Sequence, residues 1–219
     1  EKGVYGIDNP YYIAYEIDNG NQEVIDLIKG ALGSQKSEID LTYNNMKAKT
    51  VAASRSVSTD LVLPNETNHY GNMFGGELLA RMDRVGTIAA VRHSGCVVVT
   101  AAVNSVSFNK IIPQGSMVTI EASLSRAFTS SMEVYIDVWV EDSVSGERVK
   151  SNEAIYTFVA LNAEGKPVAV PEVIPETPLE KERYEGALRR KQLSLVLAGR
   201  IKPHDATELQ ALFQELENQ

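Results

Sequence analysis

The stretch Asn68-His69-Tyr70-Gly71-Asn72-Met73-Phe74-Gly75-Gly76 holds residue types that could polarise a carbonyl, and Asp83 follows seven residues later. Gly75 and Gly76 carry no side chains, so a ligand could approach their backbone closely. If a helix starts there, its first N–H groups lack intrahelical acceptors and its positive dipole end lies free. That setting stabilises negative charge on an oxygen. Asn72 adds a side-chain amide just ahead of the glycines. Asp83, beside Met82 and Val85 on a mostly apolar segment, must find partners or a reason to remain. Plain tight packing of the glycines and a solvated edge for the aspartate fit the same residues.

Other chemistries find less support. There is no Gly-x-Ser-x-Gly nucleophile elbow and no phosphate-binding P-loop. His69, His93 and His204 are not spaced as metal ligands, and Cys96 is the one cysteine, so no metal and no cofactor is expected. A Ser-His-Asp triad is allowed by spacing, but no serine stands out. The net charge of -8 argues against a general nucleic-acid or anionic-membrane binder, although a local basic cluster could still hold phosphates. No apolar run approaches the ~20 residues of a membrane span. The start at Glu1 lacks a signal-peptide core, and a lone cysteine fits a reducing compartment. A cytoplasmic protein is therefore expected.

These residues need elements to position them. Residues 1–45 read as an extension ahead of Met46, with one amphipathic helix over 21–32. Residues 50–63 read as a strand. A helix over 77–93 follows the glycine turn, with Leu78, Leu79, Met82, Val85, Ile88, Ala89 and Val91 giving it a broad apolar surface. Four strands come next. Residues 96–108 are nearly continuous in Val and Ala, as a central strand buried on both faces would be. Strands over 116–124, 131–141 and 149–161 follow, the second alternating cleanly. Thr177-Pro178-Leu179-Glu180 is a capping box opening a helix to about residue 198, and Asp205 looks like the cap of a last helix. The expected fold is α+β, one long helix wrapped by a five-stranded antiparallel sheet. Residues 46–175 would form the main domain and 176–219 a helical tail.

Gly71-Asn72-Met73-Phe74-Gly75-Gly76 followed by Leu79, Met82 and Asp83 resembles the signature of hotdog-fold acyl-CoA hydrolases, the brain-type and related bacterial long-chain group. The likeness continues through Val99-Thr100-Ala101, Val106-Ser107-Phe108, Thr129-Ser130-Ser131-Met132-Glu133, Thr157-Phe158-Val159-Ala160 and Gly165-Lys166-Pro167. It covers roughly residues 47–190. The resemblance implies acyl-CoA thioester hydrolysis with Asn72 and Asp83 as the catalytic pair. At about 1.5 Å per residue, Asp83 lies roughly 10 Å along the helix from Gly76. Asn72 of one chain would thus serve Asp83 of another, across a dimer with antiparallel helices. The resemblance implies such a shared site, commonly within a trimer of dimers.

On this reading, Asn72 and the N–H groups of Gly75 or Gly76 bind the carbonyl oxygen while Asp83 activates water or attacks directly. Phe74 would line the acyl chain. Thr129, Ser130 and Ser131 could contact pantetheine or phosphates, with Lys110, Arg126 or Arg148 supplying positive charge. The expected partners are acyl-CoA, the coenzyme A product and further copies of the chain. Competing readings are a hotdog hydratase or dehydratase acting through His69, and a non-catalytic acyl-CoA sensor.

Overall fold

Leu78, Met82, Val85 and Ala89 fall on one side of a helix by their spacing, and all four are buried. They belong to α2, Gly75–Ser94, in the computed structural model, which describes residues 46–217. Gly95 ends the helix in the left-handed region at φ 70°, donating its N–H to Val91 O at 2.8 Å. Lys49 Nζ donates to the carbonyls of Arg92 (3.3 Å) and His93 (2.5 Å), placing a cation on the negative end of the helix dipole.

The sheet under α2 has five antiparallel strands in the order β2-β4-β5-β6-β3. These are β2 (Ser56–Leu61), β3 (Val97–Phe108), β4 (Met117–Ala127), β5 (Ser131–Glu141) and β6 (Arg148–Leu161). The alternation of β5 turns Met132, Val134, Ile136, Val138 and Val140 into the core, all buried. Each such side chain contributes about 1.5–3 kcal/mol on transfer from water. A Cβ at Gly86 would sit 3.1 Å from the Phe158 ring and 3.3 Å from Ile136 Cδ1. Glycine at that point lets α2 settle onto the sheet. Extra residues in β3, β4 and β6 shift the register and bend the strands around the helix.

Three expectations need correction. Residues 50–63 are not one strand: a two-residue β1 (Lys49–Thr50) and a short α1 (Val51–Ser54) precede β2. β1 pairs in parallel with β7 (Val173–Ile174) instead of joining the main sheet. More consequentially, β3 is an edge strand and not a central one. Among the described residues it pairs only with β6, and Val97, Val103 and Phe108 are 64%, 48% and 56% exposed. Its apolar run is not explained by burial among the described residues. Lastly, Asp205 sits in a 3-10 turn, Pro203–Asp205, ahead of the final helix. The helix expected over 21–32 lies outside the described residues.

His93, at the end of α2, is fully buried, and its Nε2 lies 2.8 Å from Pro171 O. That bond joins α2 to the segment leading into β7. Burial first, and the Lys49 ammonium in addition, hold the imidazole below its ordinary pKa against the raising effect of the Pro171 carbonyl.

A second compact unit begins at Pro175. In it, α3 (Pro178–Leu197) opens with the predicted capping box. Thr177 Oγ1 accepts from Glu180 N at 3.2 Å, and the Glu180 carboxylate accepts from Thr177 N at 3.0 Å. α4 (Thr207–Glu217) is tied to α3 by Leu209 N donating to Gln192 Oε1 at 3.0 Å. No helix among the described residues is long and apolar enough to cross a membrane.

Candidate active site

The loop before α2 is a tight hairpin. Asn68 N donates to Asn72 O and Phe74 N to Glu66 O, both at 2.8 Å. Gly71, at φ 71°, makes the reversal that a side chain would strain. Asn68 Oδ1 closes the turn by accepting from Tyr70 N (2.9 Å) and Asn72 N (3.3 Å). The segment after β3 supports the hairpin, with Met73 N donating to Ile112 O at 2.7 Å and Gln114 N to Gly71 O at 2.9 Å.

This scaffold leaves its donors free. The N–H groups of Glu77 and Leu78 return to Phe74 O, whereas those of Gly75 and Gly76 reach no acceptor among the described residues. The half-buried Asn72 side-chain amide also makes no hydrogen bond to a described residue. A Cβ on Gly76 would lie 3.1 Å from the Phe74 ring, and one on Gly75 would lie 3.6 Å from the Phe108 ring. Two exposed aromatic rings therefore flank the free amides. His69 is exposed and packs against Tyr70, with ring centroids 3.9 Å apart.

Asp83 is half-buried on the side of α2 facing β3. Thr100 Oγ1 donates to its Oδ1 at 2.6 Å, while Oδ2 accepts from no described residue. Below this turn of helix, the buried Tyr156 hydroxyl donates to Leu79 O at 3.3 Å. Leu79 O is the carbonyl four residues ahead of Asp83. Burial, and then the negative charge of Asp83, push the Tyr156 phenol up, so it stays protonated as a donor. Thr100 is the fourth residue of β3 and Phe108 its last. One chain thus holds the free amides near one end of β3 and the carboxylate near the other. Asp83 is brought to Thr100, not to Asn72.

The remaining candidates divide by sheet end. Phe158 pairs with both Thr100 and Met132, so the turn Thr129-Ser130-Ser131 lies at the Asp83 end. Thr129 O and Ser130 O accept from Val170 N and Ala160 N at 3.0 Å, which fixes that turn. Arg126 is at the same end, 5.9 Å over the Phe128 ring. Lys110 is exposed just past Phe108, at the amide end. Arg148 opens β6 opposite Glu141, bonded to Glu121 Oε1 at 3.0 Å and stacked 5.2 Å over Trp139. It is the candidate furthest from Asp83 along the strands. Sequence reasoning did not single out Thr100 or Asn68. A hydroxyl within the Val-rich run 97–103 was the available signal for Thr100.

A profile of the Thioesterase superfamily matches residues 70–147. An uncharacterised acyl-CoA thioester hydrolase of Bacillus subtilis is 41% identical over 137 residues, which is 63% of this chain and 80% of that one. The chain spans only 24% and 42% of two longer rodent relatives, a mouse acyl-coenzyme A thioesterase and a rat cytosolic acyl coenzyme A thioester hydrolase. Among solved structures, a hexameric acyl-CoA thioesterase superposes with TM-score 0.68 at 38% identity, over 70% of this chain and 98% of that one. The acyl-CoA hydrolase of Staphylococcus aureus, bound to butyryl coenzyme A and coenzyme A, gives 0.65 at 38% identity, over 75% and 99%. Variants of it with an asparagine, an aspartate or a threonine changed to alanine superpose equally well. Four-fifths of the Bacillus protein matched at this identity, on a shared architecture, marks common descent: the chain belongs to the acyl-CoA thioester hydrolases of the thioesterase superfamily and has their hotdog fold.

Proposed function

We propose that this protein hydrolyses the thioester of acyl-coenzyme A, with Asp83 as the general base. The carrying observation is the Asp83 carboxylate, oriented through Oδ1 by Thr100 and open at Oδ2. A water held by Oδ2 loses its proton to Asp83 as its oxygen attacks the carbonyl carbon. Charge gathering on the carbonyl oxygen is met by the free N–H groups of Gly75 and Gly76 and by the Asn72 amide. The carbon–sulfur bond then breaks, and the coenzyme A thiolate takes up the proton. Phe74, Thr129, Ser130, Ser131, Lys110 and Arg126 line or flank the route of the substrate, whereas Arg148, engaged with Glu121 and Trp139, has the weakest claim. Residues 46–175 form the catalytic domain in this reading.

The two halves of the site meet only in a dimer. Among the described residues one edge of β3 has no strand partner, and Val97, Val103 and Phe108 on that strand are exposed, a surface that invites strand addition. Antiparallel pairing of two β3 edges about a two-fold axis sets the Phe108 end of one copy beside the Thr100 end of the other. Asn72 and the glycine amides then face Asp83 of the partner subunit. The hexameric relative is consistent with further assembly of such dimers.

A second reading concerns the asparagine. The three residues altered in the Staphylococcus protein are separated by the same intervals as Asn68, Asp83 and Thr100 here. Asn68 uses Oδ1 in the turn, but its amide N–H groups make no hydrogen bond to a described residue. Asn72→Ala and Asn68→Ala separate the cases, the larger fall in kcat marking the carbonyl ligand. The function itself is tested by free-thiol release from acyl-CoA esters of increasing chain length. Binding without turnover on every ester would replace the enzyme with the sensor reading.

A further inference from the structure

The hairpin carrying Asn68 and Asn72 is tied to α2 by an ion pair between a buried arginine and a half-buried glutamate. We propose that this pair, Arg81 with Glu66, positions the amide donors of the loop against the helix start. The inference rests on the thioesterase reading above. Arg81 is 7% exposed, on the helix that also carries Asp83. Its Nη2 donates to Glu66 Oε1 at 2.6 Å and to Leu61 O at 3.1 Å. The second oxygen of Glu66 accepts from Leu63 N at 2.8 Å, and its backbone carbonyl accepts from Phe74 N at 2.8 Å. Phe74 is the residue immediately before Gly75. One guanidinium thus holds the end of β2, the base of the hairpin and, through Glu66, the first residue ahead of the free amides.

Two details separate positioning from simple stability. Arg81 Nη1 is buried and donates to no described residue. An ion pair with a buried arginine that leaves one donor unused is a weak stabiliser, since apolar residues of similar shape often serve as well or better. Arg81 and Asp83 also lie about 200° apart around the helix. One side of α2 is clamped to the loop while the other offers Asp83 to Thr100.

The test compares steady-state acyl-CoA hydrolysis and thermal melting for wild type, Glu66→Gln, Arg81→Met and the double variant. The double variant removes both charges, so no lone buried ion remains and its melting temperature should return toward wild type. Its kcat should stay down by about tenfold to a hundredfold, with KM little changed, because small misplacement of catalytic groups carries such factors. Glu66→Gln, which keeps size and an acceptor oxygen, covers the case in which Arg81→Met does not fold, and its kcat should fall by at least about threefold. The proposal is overturned if the folded variants keep kcat within less than that margin, or if the whole loss lies in KM. A wild-type protein that releases no thiol from acyl-CoA would sink the thioesterase reading instead.

Discussion

Thr100 does for Asp83 what no other described residue does, donating to its carboxylate at 2.6 Å. A hydrogen bond to a charged group is worth about 1.5–3 kcal/mol. If that energy orients the base, Thr100→Val should lower kcat by roughly tenfold to a hundredfold, while KM for acyl-CoA changes little. Stopped assays across substrate concentration would show it, and an unchanged kcat would reduce Thr100 to a packing residue. The isolated carboxylate and the paired glycines were visible in the sequence because an ionised group on an apolar helix and two adjacent glycines are local anomalies. Thr100 was not, because its role depends on β3 passing beside α2. Arg81 was equally out of place on that helix, and its partner Glu66 lies fifteen residues earlier, at a separation that no helical or strand period links.

At the scale of elements, period and turn chemistry carried most of the prediction. The alternation of β5, the capping box of α3 and the Gly95 stop of α2 are set by neighbours in sequence. The edge position of β3 was not legible because a Val-rich run signals apolar surface without saying where in the sheet it lies. The junction of α2 with the β7 segment adds a testable element. His93 has its pKa lowered in the folded protein from an ordinary value of 6.5. Above that pH both folded and unfolded states hold it neutral. As pH falls through about 6.5, the unfolded chain takes up a proton that the folded protein refuses, so stability declines on the acid side. Melting curves between pH 7.5 and 5.5 should therefore slope more steeply for wild type than for His93→Gln. Parallel slopes would show that His93 makes no contribution there.

At the scale of the whole molecule, the account requires two copies to complete one site. The asparagine variant with the larger fall in kcat, Asn72→Ala or Asn68→Ala, and Asp83→Ala should rescue one another when co-expressed under different tags. A heterodimer has one doubly damaged site and one intact site, so random pairing returns up to about a quarter of wild-type activity. Mixed dimers no more active than either parent would refute the shared site while leaving the chemistry untouched. The chemistry itself rests on one carboxylate, and its most direct test is free-thiol release from acyl-CoA by wild type and by a folded Asp83→Ala protein. Wild type should release thiol from at least part of a chain-length series. Asp83→Ala should retain acyl-CoA binding and lose about 10²–10⁴ in rate, the usual cost of removing a general base. Near-normal hydrolysis by folded Asp83→Ala would contradict the account.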